Sequence, residues 1–199
     1  MATILVKDPS STEAFNVHRE FACHYSPVFM SAFNSAFKEG QTQTYQLEDT
    51  SVEAVQLLVQ WLYQQKLDLA WVPDKITWQE RCLTLVELWV LADKLLIPRL
   101  QNEALREIHK MAESEKKTPT RFSKYVYKNT APGSQLRRYF VDRCAWTLNC
   151  KWIATHPRQF PNEFWVELAV CTTQALEKGV DRNKMRHEFT VSDYEIPVS

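Results

Sequence analysis

The segment FNVHREFACHYSPVFMSAF, from Phe15 to Phe33, brings together His18, Cys23 and His24, residue types that ligate metals or activate a thiol nucleophile. A metal centre needs its ligands to project to one point. His18 and His24 stand six residues apart, the wrong interval for one helical face. His109, His156 and His187 have no ligand-like neighbours, and no Cys-x-x-Cys pair exists; Cys144 and Cys150 fall on different sides of a helix. The structural reading is therefore preferred. His18 lies at a strand-to-helix junction, where its ring is expected to be buried and to bond backbone groups, with Phe15, Val17 and Phe21 packed beneath it.

Other chemistries fail on spacing as well. Glycines occur at 40, 133 and 179, too far apart for a phosphate-cradling loop, a dinucleotide fingerprint or the nucleophile elbow of a hydrolase. Glu48 and Asp49 could pass for paired carboxylates, but their place before Thr50 suits the start of a helix, where the dipole favours negative charge. Arg137, Arg138, Arg143, Lys151 and Arg158 lie among Tyr139, Trp146 and Trp152, a mixture that can track single-stranded nucleic acid. These charges alternate with core positions, as on a solvated helix face, and that plainer reading is taken. No catalytic, cofactor or metal residues are assigned.

Bulk composition points the same way. In 199 residues, 45% are hydrophobic, enough for a real core. Lys plus Arg balance Asp plus Glu at 24 each, so no net field draws the chain to nucleic acid or to an anionic bilayer. Lys7 and Asp8 interrupt the N-terminus before any secretory core forms, and no apolar run is long enough for a spanning helix. The five cysteines are odd in number and widely spaced, and read as reduced core thiols. The expectation is an intracellular protein of cytoplasm or nucleus, with no cofactor, no nucleic-acid partner and no membrane.

Ile4–Val6 and Ala14–Val17 flank the turn-forming KDPSS and predict a hairpin. Phe29, Phe33 and Phe37 recur every fourth residue and predict a helix with its aromatic side inward, capped by Ser26 and begun by Pro27. TYQLEDT reads as a strand. Thr50 with Glu53 has capping-box spacing for a helix whose stripe is Val52, Val55, Leu58, Val59 and Leu62. The stretch QQKLDLAWVPDKITWQER reads as a connection with a short strand at Leu67–Leu69. LTLVELWVLADKLLI is apolar almost all round, interrupted by Glu87, Asp93 and Lys94, and predicts a helix buried on several faces. Pro98 opens a second helix bearing Leu100, Ala104, Ile108 and Met111, completing a helical hairpin.

ESEKKTPT, residues 113–120, carries nothing obvious to bury and reads as a linker between a first domain, 1–112, and a helical extension, 121–179. In the extension Ser134 caps a helix carrying Leu136, Phe140, Val141, Cys144 and Leu148. Pro161 starts another bearing Phe164, Trp165, Leu168, Ala169 and Leu176, closed by Lys178 and Gly179. The tail, 180–199, is polar with scattered apolar residues and is expected to be loosely held. Trp71, Trp78, Tyr125 and Tyr127, placed in connections, are candidate protein-binding anchors, since interface hot spots favour Trp, Tyr and Arg; the alternative is that they pin loops to the body.

Three phrases taken in order, FNVHREFACHYSPVFMSAF, FKEGQTQTYQLEDTSVEAVQLLVQWLYQQKL and VLADKLLIPRLQNEAL, resemble the BTB/POZ domain over about residues 3–112. A fourth, YVYKNTAPGSQLRRYFVDRCAWT, is similar to the helical extension that follows this domain in the fungal branch of the family. The resemblance implies an α+β fold: a small mixed sheet flanked by a helical cluster, followed by a helical C-terminal extension. It further implies a protein-interaction module, used as scaffold or adaptor, with no catalytic centre. His18 of the Phe-x-Val-His phrase, Ser26 and Phe29 of the Ser-Pro-x-Phe phrase, and Asp93 then have structural roles.

The resemblance also bears on partners, whose identities the sequence leaves open. Many animal members dimerise by exchanging a strand and helix ahead of the first hairpin; this chain begins directly before Ile4, so a dimer exchanged in that way is not expected, and whether the chain forms a homodimer of another kind is left open by the sequence. Members that serve cullin-type ubiquitin ligases as substrate adaptors often carry a hydrophobic-x-Glu motif in the helix after the third strand. The corresponding residues here are Val55, Gln56 and Leu57, without the glutamate. A generic interaction module is therefore ranked above a cullin adaptor, and both above an unrecognised enzyme.

Overall fold

Alternation along the opening hairpin turns Ala2, Ile4 and Val6 to one side, where all three are buried. A computed structural model describes residues 1–8, 11–69 and 77–198. Strand β1, Ala2–Asp8, pairs antiparallel with β2, Ser11–Val17, with Ile4 opposite Phe15. Strand β3, Thr44–Glu48, then lies parallel to β1 on its other edge, Ile4 against Tyr45 and Val6 against Leu47. The order β2-β1-β3 is a mixed sheet, as it must be: a tight hairpin gives antiparallel neighbours, whereas a parallel return needs a crossover.

Three short helices make that crossover: α1, Arg19–Tyr25; α2, Pro27–Phe33; and α3, Lys38–Thr42. The Ser26 hydroxyl caps α2 by accepting the Phe29 N–H, with Pro27 in the first turn. Phe29 and Phe33 are buried and stacked, with Tyr45 set edge-on to both. Phe37 departs from the expected stripe. The helix stops at Phe33, so Phe37 heads α3 instead and is largely exposed.

Helix α4, Val52–Gln64, packs on α5, Trp78–Lys94, and on β1 and β2. Its cap is Ser51, which accepts the Ala54 N–H, and not Thr50; Ser51 also donates to the Glu87 carboxylate, which anchors the cap to α5. The reciprocal capping box lies instead at Thr77 and Glu80, at the start of α5. Residues expected in a connection, from Trp78 onward, are thus helical, and Leu67–Leu69 form no strand. As expected, α5 is buried on several faces, Cys82, Leu85, Val86, Leu88 and Trp89 among them. Helix α6, Pro98–Ser114, follows after a tight turn. Two compact units result, one built on Met1–Glu107 and the other on Ile108–Ile196.

The second unit contains α7, Ser123–Asn129; α8, Gln135–Thr147; α9, Cys150–Thr155; α10, Asn162–Glu177; and α11, Arg182–Glu188, with a 3-10 turn at Val191–Tyr194. Ser134 caps α8, whose Leu136, Phe140, Val141 and Cys144 are all buried, as is Leu148 at its C-terminal cap. At the end of α10, Gly179 takes a positive φ of 66°, and the N–H groups of Gly179 and Val180 return to Leu176 and Ala175. Leu176 itself is exposed, against expectation. The tail also differs from its loose reading: Phe189 packs on Tyr139 and Trp146, and Tyr194 is buried against Tyr139. Two apolar rings in a polar segment suffice to anchor it.

Candidate functional site

The sequence phrase around Ser26 builds the frame of the first unit. Ser26 is fully buried; its hydroxyl donates to the Leu95 carbonyl at 2.7 Å while accepting the Phe29 N–H at 3.1 Å. One side chain thereby ties the α1–α2 junction to the turn that ends α5. In that turn Leu96 adopts φ 55°, and the N–H groups of Leu96 and Ile97 return to Asp93 and Ala92. Asp93 accepts from Gln101 of α6 at 3.0 Å, linking both arms of the helical hairpin. A second link spans α4 and α6, where the buried Trp61 indole donates to Glu103 at 3.1 Å.

His18 is placed differently from expectation: its side chain is exposed, not buried. Its backbone N–H donates to the Tyr63 hydroxyl at 3.0 Å, and that hydroxyl lies 2.9 Å from His18 Nδ1. Phe21 completes the group, its ring 5.8 Å from His18 and 5.1 Å from Tyr63. Phe21 and Tyr63 remain 41% and 42% exposed. Three rings from the β2–α1 junction, α1 and α4 thus form a cohesive aromatic surface on a unit that also exposes Met30, Phe37 and Leu96. Sequence reading missed Phe21 and Tyr63 as surface residues because each also fits an inward helical stripe. Nearby, His24 packs edge-on to Tyr25, and Cys23 is half-buried. Among the described residues no group of three His, Cys, Asp or Glu side chains could hold a metal ion.

Of the four aromatic anchors expected in connections, Trp71 lies outside the described residues. Trp78 begins α5, and Tyr125 and Tyr127 belong to α7, so none of these three stands in a loop. Tyr127 is committed internally: its hydroxyl donates to Glu167, its ring meets Phe164 edge-on, and the Arg137 guanidinium lies 4.4 Å from its centre. Burial and the adjacent carboxylate push the Tyr127 phenol far above its usual range.

The basic residues of α8 also correct their sequence reading. Arg137 and Arg143 are buried rather than on a solvated face. Arg137 donates to the Tyr127 carbonyl at 2.6 Å and to the Thr130 hydroxyl at 2.9 Å. Arg143 donates to Glu113 at 2.7 Å and lies 5.3 Å from the Trp146 ring centre. The signal was present: Arg143 falls three residues after Phe140 and seven after Leu136, in phase with the apolar stripe. The cysteines divide likewise: all five are free thiols, but only Cys82 and Cys144 are buried, and Cys150 is exposed. Burial raises the Cys171 thiol to about 12, helped by its hydrogen bond to Asp142.

A three-stranded mixed sheet, a crossover of short helices and a buried helical hairpin together make up the fold of the first unit. The family model for the BTB/POZ domain matches residues 2–112, more than half of the chain, and the protein belongs to that family. BTB/POZ domains mediate protein–protein interaction and dimerisation, and the family is typically non-enzymatic. No curated protein matches the chain. No helix among the described residues is long and apolar enough to cross a membrane.

Proposed function

We propose that this chain is a non-enzymatic scaffold or adaptor that joins proteins through the exterior of its BTB domain, with His18, Phe21 and Tyr63 at the centre of the contact surface. The exposed aromatic cluster carries the reading: rings that are rigid, amphipathic and already packed on one another bury area on binding at little entropic cost. Tyr63 adds a hydroxyl that keeps the cluster oriented. The partner is another protein, a second copy of the chain included, and not nucleic acid. Affinity capture from the source cells with wild-type bait and with a Phe21→Ser/Tyr63→Ala bait is the test. Loss of the specifically bound proteins in the double variant is expected; an unchanged set sinks the assignment of this surface.

Service as a cullin adaptor ranks second. Leu57, where the resemblance calls for glutamate, is 2% exposed, so its side chain cannot reach a partner; Gln56 beside it is the exposed residue. Binding to purified cullin scaffolds decides, and no association at micromolar concentration ends that reading.

A further inference from the structure

We infer that the second unit holds an anion site for the phosphate monoester of a phosphorylated protein partner, formed by Lys116, Arg143 and Arg186 beside Trp146. These residues line a cavity of about 430 Å³, within the range of pockets that take small ligands, about 300 to 1,000 Å³. Three cationic side chains face one carboxylate there, Glu113, in a chain whose total charge is zero. That carboxylate is already engaged: Arg143 donates to it at 2.7 Å. Burial alone would raise the Glu113 pKa, but the Arg143 hydrogen bond and the Arg143, His109 and Arg186 charges outweigh it and hold the carboxyl low.

Two further observations select an anion. The Nε of Arg143 and the indole Nε1 of Trp146 are both buried N–H donors with no acceptor among the described residues, an uncommon state in a folded protein. Both residues line the cavity, and the exposed Lys116 and Arg186 supply the direct donors. Lys116 sits at φ 52° in the turn closing α6, where the Lys117 N–H returns to the Ala112 carbonyl. The Arg186 guanidinium lies 5.5 Å from the Trp146 ring centre, held over the indole. Guanidinium and ammonium groups facing one small cavity suit a compact dianion better than a single carboxylate.

The choice of a peptide carrier, and only that, rests on the reading of the chain as an interaction module. The test uses the full chain, with backbone amide and indole NMR signals followed for Lys116, Trp146 and Arg186. The probes are the capped peptide Ac-Ala-phosphoSer-Ala-NH2, its unphosphorylated form, inorganic phosphate and a single-stranded oligonucleotide. Saturable shifts with the phosphopeptide, absent with its unphosphorylated form, weaker with inorganic phosphate and no tighter with the oligonucleotide, and reduced about tenfold or more in affinity in Lys116→Ala/Arg186→Ala, are expected. Both side chains are exposed, so the variant should keep its melting temperature. The inference is overturned by no saturable shift, by an equal response to the unphosphorylated peptide, or by an unchanged response in the variant. Inorganic phosphate binding as tightly as the peptide, or the oligonucleotide binding more tightly, would overturn the peptide carrier. Protein capture through the Phe21 and Tyr63 surface, run in parallel on Lys116→Ala/Arg186→Ala, reports separately on the interaction reading.

Discussion

The Ser26 hydroxyl lies 2.7 Å from the Leu95 carbonyl across sixty-nine residues of sequence, and this bond joins the crossover helices to the end of α5. Because Ser26 also caps α2, its removal has two costs. Ser26→Ala leaves a helix start without its cap and deprives a buried carbonyl of a donor, together roughly 2–3 kcal/mol. A urea midpoint lowered accordingly, with an unchanged slope, is the expected result. A loss below about 0.5 kcal/mol would mean that water replaces the hydroxyl.

Leu96 offers the opposite change. It holds φ 55° in the turn after α5, a conformation in which its Cβ is strained, and its side chain is 57% exposed, so little packing is at stake. Leu96→Gly should stabilise the protein by about 0.5–1 kcal/mol, since glycine adopts this position freely. Thermal unfolding of the two proteins side by side checks it.

Gly40 is fixed by space rather than by φ. A Cβ there would meet the Ser35 carbonyl oxygen at 1.8 Å, a backbone contact that no rotamer change relieves. Gly40→Ala is expected to cost about 1–3 kcal/mol or to shift α3. An unchanged midpoint would show that α3 moves freely.

These sites also show how much was legible beforehand. Ser26 and Phe29 could be placed because cap, proline and helical period coincide within four residues, each local preference agreeing with the fold. The same held for α5, whose apolar surround left no alternative to burial. His18 was misplaced because a strand-to-helix junction does not say which side of the chain the core lies on. Arg143 was misplaced because charge was weighted above phase, although Glu113 and Trp146 stood ready to compensate its burial. Phe189 and Tyr194 were missed because anchoring a tail needs only two rings and leaves no period to detect. The Thr77 cap was visible as Thr-x-x-Glu but lay in a stretch read as a connection.

Glu87 makes stability fall with rising pH. Burial raises its pKa, the Ser51 hydrogen bond lowers it, and Glu53 raises it again, with a net upward shift. A carboxyl whose folded pKa exceeds its unfolded value binds more protons in the folded state, so stability is lost as pH climbs from the ordinary glutamate value, about 4.3, through the folded one. Glu87→Gln removes this dependence while an amide oxygen can still accept from Ser51. The variant should gain on the order of 1 kcal/mol relative to wild type at neutral pH, and less at pH about 4. Melting curves at both pH values test it; a gain that does not grow with pH would show that the folded carboxyl is no less acidic than the unfolded one.

The His18, Phe21 and Tyr63 cluster separates stability from binding. Because His18 is exposed, His18→Ala strands no buried polar group, and its cost should stay below about 1 kcal/mol. Tyr63→Phe removes the oxygen that accepts the His18 N–H, yet that N–H is open to water, so this cost too should be small, about 0.5–1 kcal/mol. Phe21→Ser/Tyr63→Ala deletes two half-exposed rings and with them the apolar area a partner would cover. Light scattering should therefore show either an assembly that dissociates in the double variant while the far-ultraviolet circular dichroism is retained, or a monomer in both proteins that loses its captured partners. Assembly and partners both unaltered in a folded double variant would leave these rings as a surface without a contact role.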